Sequence, residues 1–170
     1  QRIFSRELEP GSWIDELKIA EEYGISRTPL REALKVLEGE GQVAYFPHRG
    51  YFVADLSVAD LVEVYRIREL LEHEALAHAV PLLTDEDVEH LEDLASAVEA
   101  AAARGDVTAV TAANRAFHFA MFDASAMPRL ARMIRTLWDA TDAYRSVYMS
   151  TPANLAQMVA EHRKMLKVAT

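Results

Sequence analysis

The 170-residue chain is 51% hydrophobic and 26% charged, with six glycines and six prolines, a balance that excludes a disordered or fibrous protein. It contains no cysteine, which removes disulfides, thiolate metal sites and cysteine nucleophiles together. The net charge of −9 argues at first against a nucleic-acid partner; no apolar run reaches the ~18 residues of a membrane span, and with no charged-then-apolar leader the chain is expected to be cytoplasmic.

Residues 1–8 read as the tail of an amphipathic helix, followed by a turn at Glu9, Pro10, Gly11 and Ser12. Residues 15–23 read as a helix with Asp15 as N-cap, Leu17, Ile19 and Ala20 as apolar positions, and Gly24 as its stop. Ser26 caps a second helix over about 27–38, with Pro29 in the first turn, where a missing N–H costs nothing, and Ala33, Leu34 and Leu37 as the buried stripe. Two helices joined by a glycine-containing turn form a helix-turn-helix pattern. Beyond Gly41, the β-prone runs 43–46 and 51–53 flank Pro47, His48, Arg49 and Gly50, which predicts a hairpin. Helix, turn, helix and hairpin is the order of a winged helix.

From Ser57 the strand signal disappears. A Ser57 cap with Asp60 three residues later opens a long helix to about Val80, where Pro81 ends it. Thr84 caps the next helix, to Ala103; Arg104, Gly105 and Asp106 turn into a third, to about Ala124; 127–148 and 152–169 make two more. The predicted fold class is mainly α: an N-terminal winged helix-turn-helix over residues 1–54, then an all-helical antiparallel bundle over 57–170.

The first chemical feature is a basic row. Arg27, Arg31 and Lys35 are spaced i, i+4, i+8 on the second helix, opposite its apolar stripe. Arginine can pair bidentately with guanine O6 and N7, while Ser26 and Thr28 at the helix start can hold phosphates with hydroxyls and backbone N–H groups. His48 and Arg49 beside Gly50 suit a minor-groove or backbone contact from the hairpin tip. Three basic residues at this spacing also describe an ordinary solvated face balanced by Glu32 and Glu38; their place on the helix that a winged helix inserts into the major groove favours DNA. The charge divides unevenly: residues 1–53 hold seven Lys/Arg against nine Asp/Glu (−2), and 54–170 hold eleven against eighteen (−7). DNA affinity must then depend on a focused stripe rather than on net charge.

These residues carry a resemblance. Glu9-Pro10-Gly11, the run from Ile25 through Ser26-Arg27-Thr28-Pro29-Leu30-Arg31-Glu32-Ala33-Leu34, and Pro47-His48-Arg49-Gly50-Tyr51-Phe52-Val53 resemble the turn, helix pair and wing of the GntR family of bacterial transcription regulators. The resemblance implies that Arg27, Thr28 and Arg31 read or clamp an operator, and that Arg49 with Gly50 forms the wing contact.

In the second half, Asn114 and His118 are i, i+4 on one helix, and His162 lies on the last helix, which can face them across an antiparallel bundle. Two imidazoles and an amide oxygen would suit Zn, Ni or Mn; His118 and His162 equally fit ordinary core histidines with satisfied hydrogen bonds. His73, His78 and His90 fit exposed faces. Arg68 shares a helix face with Leu61, Val64, Leu71 and Ala75, and so needs a carboxylate, either Glu72 at i+4 or a ligand. Tyr144 and Arg145 are weaker ligand candidates, and Trp138 reads as core.

The run from Tyr65 to Glu72, the Asn114-Arg115-Ala116-Phe117-His118 segment and Glu161-His162 resemble the all-helical FCD ligand-binding domain of the FadR subfamily. In its metal-binding members the position of Asn114 is typically Asp, and three histidines follow. Asn114 removes a negative charge and weakens the set. The helix expected to carry the third histidine would lie beyond Thr170, so the bundle is expected to be one helix short. The resemblance implies a homodimer on a palindromic double-stranded DNA operator, a repressor of a catabolic operon, whose bundle senses a small carboxylate, with or without a metal. A metal sensor without an organic effector is the first alternative. A metalloenzyme is the second, but no HExxH-type motif or nucleophile with a partnered base supports it, and the chain is expected not to be an enzyme.

Overall fold

The structure, a computed structural model, describes residues 8–55 and 57–169; the helix expected over 1–8 lies, Leu8 aside, outside them. In chain order the elements are α1 (Glu16–Tyr23), α2 (Arg27–Gly39), β1 (Val43–Phe46), β2 (Gly50–Val53), α3 (Val58–Ala79), a 3₁₀ turn at Val80–Leu82, α4 (Asp85–Ala103), α5 (Val107–Asp123), α6 (Pro128–Tyr148) and α7 (Pro152–Ala169). The fold is mainly α, a winged helix-turn-helix followed by helices. It divides into two compact units: Gln1–Val64 with Thr136–Ala143, and Tyr65–Arg135 with Tyr144–Thr170.

In the first unit, Asp15 caps α1 by accepting from the N–H groups of Leu17 and Lys18 at 3.0 and 3.1 Å. Gly24 ends it in the left-handed region (φ 62°), where its N–H reaches back to the last carbonyls. Two apolar assignments differ from expectation. Leu17 is exposed, and Ile14, just before the helix, takes the buried place. On α2 the buried row is Leu30 and Leu34 flanked by Leu37, the i, i+4, i+7 set, while Ala33 lies one position off it and is exposed.

The wing pairs β1 and β2 antiparallel, with Val43 opposite Val53 and Phe46 opposite Gly50. The chain before α1 covers the other edge of β2: the N–H groups of Gly11 and Ile14 donate to the carbonyls of Val53 and Tyr51, and the Val53 N–H donates to Ser12. The strand is thereby bonded on both sides, and Tyr51 and Val53, two apart, face one core. That core joins them to Val43, Ile14, Ala20, Leu30 and Leu34.

In the second unit, α4 packs on α5 and α7. Thr84 and Asp87 close a reciprocal capping box at the start of α4. One apolar cluster joins Leu91 and Ala95 to Phe117, Met121 and Leu166; a second joins Val98 and Ala101 to Val110, Met149 and Met158. Pro81 sits inside the 3₁₀ turn that follows α3, as its lack of an N–H requires.

Gly50 has φ +88°, and a Cβ built on it would stand 3.4 Å from the Trp13 indole nitrogen. Gly50→Ala is therefore expected to destabilise the protein by about 1–2 kcal/mol, from the left-handed backbone alone, as a fall in the midpoint of urea unfolding.

Candidate functional site

The second helix of the helix-turn-helix presents its basic row to solvent. Burial of Leu30 and Leu34 fixes the rotation of α2, and Arg31 and Lys35 each follow a buried leucine by one residue, about 100° around the helix. The row of Arg27, Arg31 and Lys35 thus flanks the buried stripe rather than opposing it, and all three are exposed. Ser26 occupies the N-cap position with an extended backbone, but its hydroxyl closes no capping bond. Ser26 and Thr28 are both exposed, beside the N–H groups of the first turn of α2.

The flanking position brings the row within reach of α1. Glu16, the first residue of α1, accepts from Arg31 Nε at 2.6 Å and from Arg31 Nη2 at 3.4 Å, and its Oε2 lies 3.9 Å from Arg27 Nη2. The Glu16 side chain is only 11% exposed and the Arg31 side chain 54%. The hydrogen bond and charge of Glu16 hold the Arg31 guanidinium above its ordinary pKa. Sequence spacing did not identify Glu16, because the contact joins two helices whose mutual placement is set by tertiary packing.

At the wing, His48 is exposed with φ 62° and the Arg49 N–H closes the turn onto the Phe46 carbonyl at 3.0 Å. The Arg49 guanidinium lies over the rings of Phe46 and Phe52, 5.8 and 5.1 Å from their centroids. Arg49 is therefore held at the tip by two aromatic faces, with Gly50 beside it.

In the second unit, α5 and α7 bring His118 and His162 together with their Nε2 atoms 3.2 Å apart. His162 packs on Phe117, ring centroids 4.4 Å apart, and is 2% exposed. Asn114, one turn before His118, is buried as well. One imidazole must donate to the other through Nε2, so the ring that accepts carries its proton on a buried Nδ1. The Nδ1 of His162 has no hydrogen-bond partner among the described residues, which is not the satisfied core histidine that one reading of the sequence allowed. Two cis nitrogen ligands at ordinary metal–nitrogen distances stand roughly 3.0–3.4 Å apart, so the Nε2 pair fits half of a metal site. Among the described residues no group of three or more His, Asp or Glu completes it, leaving the Asn114 amide as the further oxygen donor on that face.

Arg68 is buried and donates through Nε to Glu72 Oε1 at 2.8 Å, with its guanidinium over the Tyr65 ring. Of the two partners weighed for it, the structure supplies Glu72. Arg145 on α6 is buried too, and Tyr144 beside it is half-buried. Arg68 and Arg145 both lie within Coulombic reach of His118. Trp138 is fully buried, and His73, His78 and His90 are exposed, as expected.

Burial, then the neighbouring His162, Arg145 and Arg68, push the His118 pKa well below its ordinary value; burial pulls that of His162 down to about 4. Both rings are neutral at pH 7 and keep lone pairs available. A folded-state pKa below the unfolded value means that the unfolded chain binds protons first as pH falls, so stability declines from about pH 6.5 toward pH 4. We expect Tm to fall over this window in the native protein and to fall less in a His118→Asn/His162→Asn variant, measured by scanning calorimetry in matched buffers.

The comparisons with known proteins divide the chain in a corresponding way. Residues 1–53 match the bacterial regulatory proteins of the gntR family, and residues 63–169 match the FCD domain. The chain is 36% identical over 131 residues to the HTH-type transcriptional regulator McbR of Escherichia coli (strain K12), covering 77% of this chain and 59% of McbR. It is 39% identical over 71 residues to the gluconate operon transcriptional repressor of Bacillus subtilis (strain 168), covering 42% of this chain and 29% of that protein. The solved structure of E. coli McbR/YncC superposes with a TM-score of 0.76 at 26% identity, covering 98% of this chain and 92% of that one. The chain thus spans about three-fifths of the McbR sequence, and the winged helix, the helices after it and these matches together establish that it belongs to the GntR family of bacterial regulatory proteins and carries an FCD domain.

Proposed function

We propose that the protein is a transcription regulator, not an enzyme, that acts in the cytoplasm as a homodimer, with residues 1–54 binding a palindromic double-stranded operator and residues 57–170 binding the effector and the second copy. The observation that carries the reading is the exposed row of Arg27, Arg31 and Lys35, flanking the stripe by which Leu30 and Leu34 lock the helix into the core. In the major groove Arg31 reads a base edge, while Arg27 and Lys35 contact the backbone or a further base. Ser26 and Thr28 hold a phosphate at the start of α2, and His48, Arg49 and Gly50 contact the minor groove or backbone. The names of the relatives support this reading, and that of the gluconate operon repressor supports repression of a catabolic operon.

The effector is a small carboxylate. Arg68 and Arg145 are buried cations close to a neutral imidazole pair, a setting that attracts an anion into a dry site, and Tyr144 supplies a hydroxyl beside them. A divalent metal (Zn, Ni or Mn) would be held by His118, His162 and Asn114 and, when bound, would supply a Lewis-acid anchor for the carboxylate. Arg145 and Arg68, the latter partly offset by Glu72, disfavour a bare cation, which favours metal with carboxylate over a metal sensor lacking an organic effector.

Two experiments test this. Arg31→Ala is expected to bind a duplex selected from a random library by the native protein no better than a random duplex of the same length, with its fold intact by circular dichroism; an unchanged preference refutes the reading. Thermal scanning against Zn, Ni, Mn and a set of small carboxylates, with and without chelator, is expected to show stabilisation of about 2.7 kcal/mol at a hundredfold excess over Kd. The gain from metal and carboxylate together should exceed that from either alone and disappear in His118→Ala/His162→Ala.

A further inference from the structure

The ion pair between Glu16 and Arg31 has two features that bear on what the basic row can present to DNA. Its geometry is asymmetric: Glu16 takes the Nε edge of the guanidinium, at 2.6 Å, and reaches Nη2 only at 3.4 Å. Of the five N–H donors of Arg31, the two on Nη1 and one on Nη2 remain, and one from each nitrogen forms the end-on pair whose spacing matches O6 and N7 of guanine. Its charge placement is also specific. One carboxylate, 11% exposed, stands 2.6 Å from Arg31 and 3.9 Å from Arg27, so it offsets the charge of two members of the basic row without leaving the protein surface. The position of Glu16 is itself fixed, because it is the first residue of α1, immediately after the Asp15 cap, and α1 packs on α2.

We propose that Glu16 is a specificity-determining positioning residue: it aims the free end of Arg31 at a base edge and subtracts charge that would otherwise bind phosphates of any sequence. The proposal rests on the reading that Arg31 contacts operator bases. It assigns opposite signs to two quantities. Loss of the carboxylate frees Arg31 to swing to the nearest phosphate and leaves Arg27 unbalanced, so binding to random DNA strengthens as discrimination falls. A contact needed only to keep α1 against α2 would weaken binding to both kinds of DNA together.

The test uses the intact protein and two duplexes of equal length, one selected from a random library by the native protein and one of random sequence, titrated by fluorescence anisotropy across a salt series. For Glu16→Gln we expect random-duplex affinity to rise about three- to tenfold, and the slope of log K against log salt to steepen by about 0.9, one additional phosphate contact. The preference for the selected duplex should fall about tenfold or more. Glu16→Asp keeps the charge but is one methylene shorter; it should leave random-duplex affinity near native and still lose preference. In an Arg31→Ala background, Glu16→Gln should leave preference unchanged. Native preference in both Glu16 variants, or parallel weakening on both duplexes, overturns the proposal. Native preference in Arg31→Ala alone overturns instead the base-reading role beneath it, so the two failures are distinguishable.

Discussion

Burial of Leu30 and Leu34 against Ile14, Val43, Tyr51 and Val53 orients α2 about its own axis, and that orientation decides what the rest of the first unit can present. Each residue of a helix turns the side chain by about 100°, so once two leucines are fixed, Arg27, Arg31 and Lys35 have one place to go. The core that holds them is small and is completed by the wing. Val43, Tyr51 and Val53 come from the hairpin, and β2 is bonded on both edges, by β1 and by residues 11–14. A change in the wing is thus a change in the platform under α2, and Arg49 at the tip and Arg31 on the helix are presented by one packed unit.

The same geometry makes sense of the charge. A region of net −2 cannot gather DNA by its overall field, and its acidic residues are not all remote from the basic row, because Glu16 lies within it. Exposed ion pairs contribute little to stability, so the value of that carboxylate must be sought in what it does to the arginine. It narrows the directions in which the guanidinium can point and lowers the charge that an arbitrary phosphate would meet. Weak non-directional attraction combined with one well-aimed donor pair is a route to discrimination rather than to raw affinity.

Local signals were legible in the sequence and tertiary ones were not. Asp15, Gly24, Thr84, and Ser57 with Asp60 act within four residues of themselves, and each does in the structure what its chemistry predicts, whereas Ser26 takes the N-cap position without closing a capping bond. The apolar assignments slipped where a residue of the right type sat one step off the row. Ala33 and Leu17 have the composition of a core, but Leu30 and Ile14 have the position. Glu16 escaped notice because it is fifteen residues from Arg31 in the chain. The histidines were legible as a pair through helical spacing and an antiparallel path. Their 3.2 Å approach, and an Nδ1 of His162 without a partner among the described residues, depend on how α5 and α7 sit in the second unit, which no spacing states.

The electrostatics of that pair constrain any ligand. Burial, then a second imidazole and two arginines, push the proton off His118. Burial and the nearby arginine charge, part of it offset by Glu72 on Arg68, disfavour a proton and a bare cation alike. An anion entering beside those guanidiniums would lower the local positive potential and so favour a cation on the imidazoles, and the cation in turn would favour the anion. By thermodynamic reciprocity the two affinities would rise by the same factor. Only the part of that binding energy that differs between two arrangements of the protein could be passed on to DNA affinity, however tightly the pair of ligands is held.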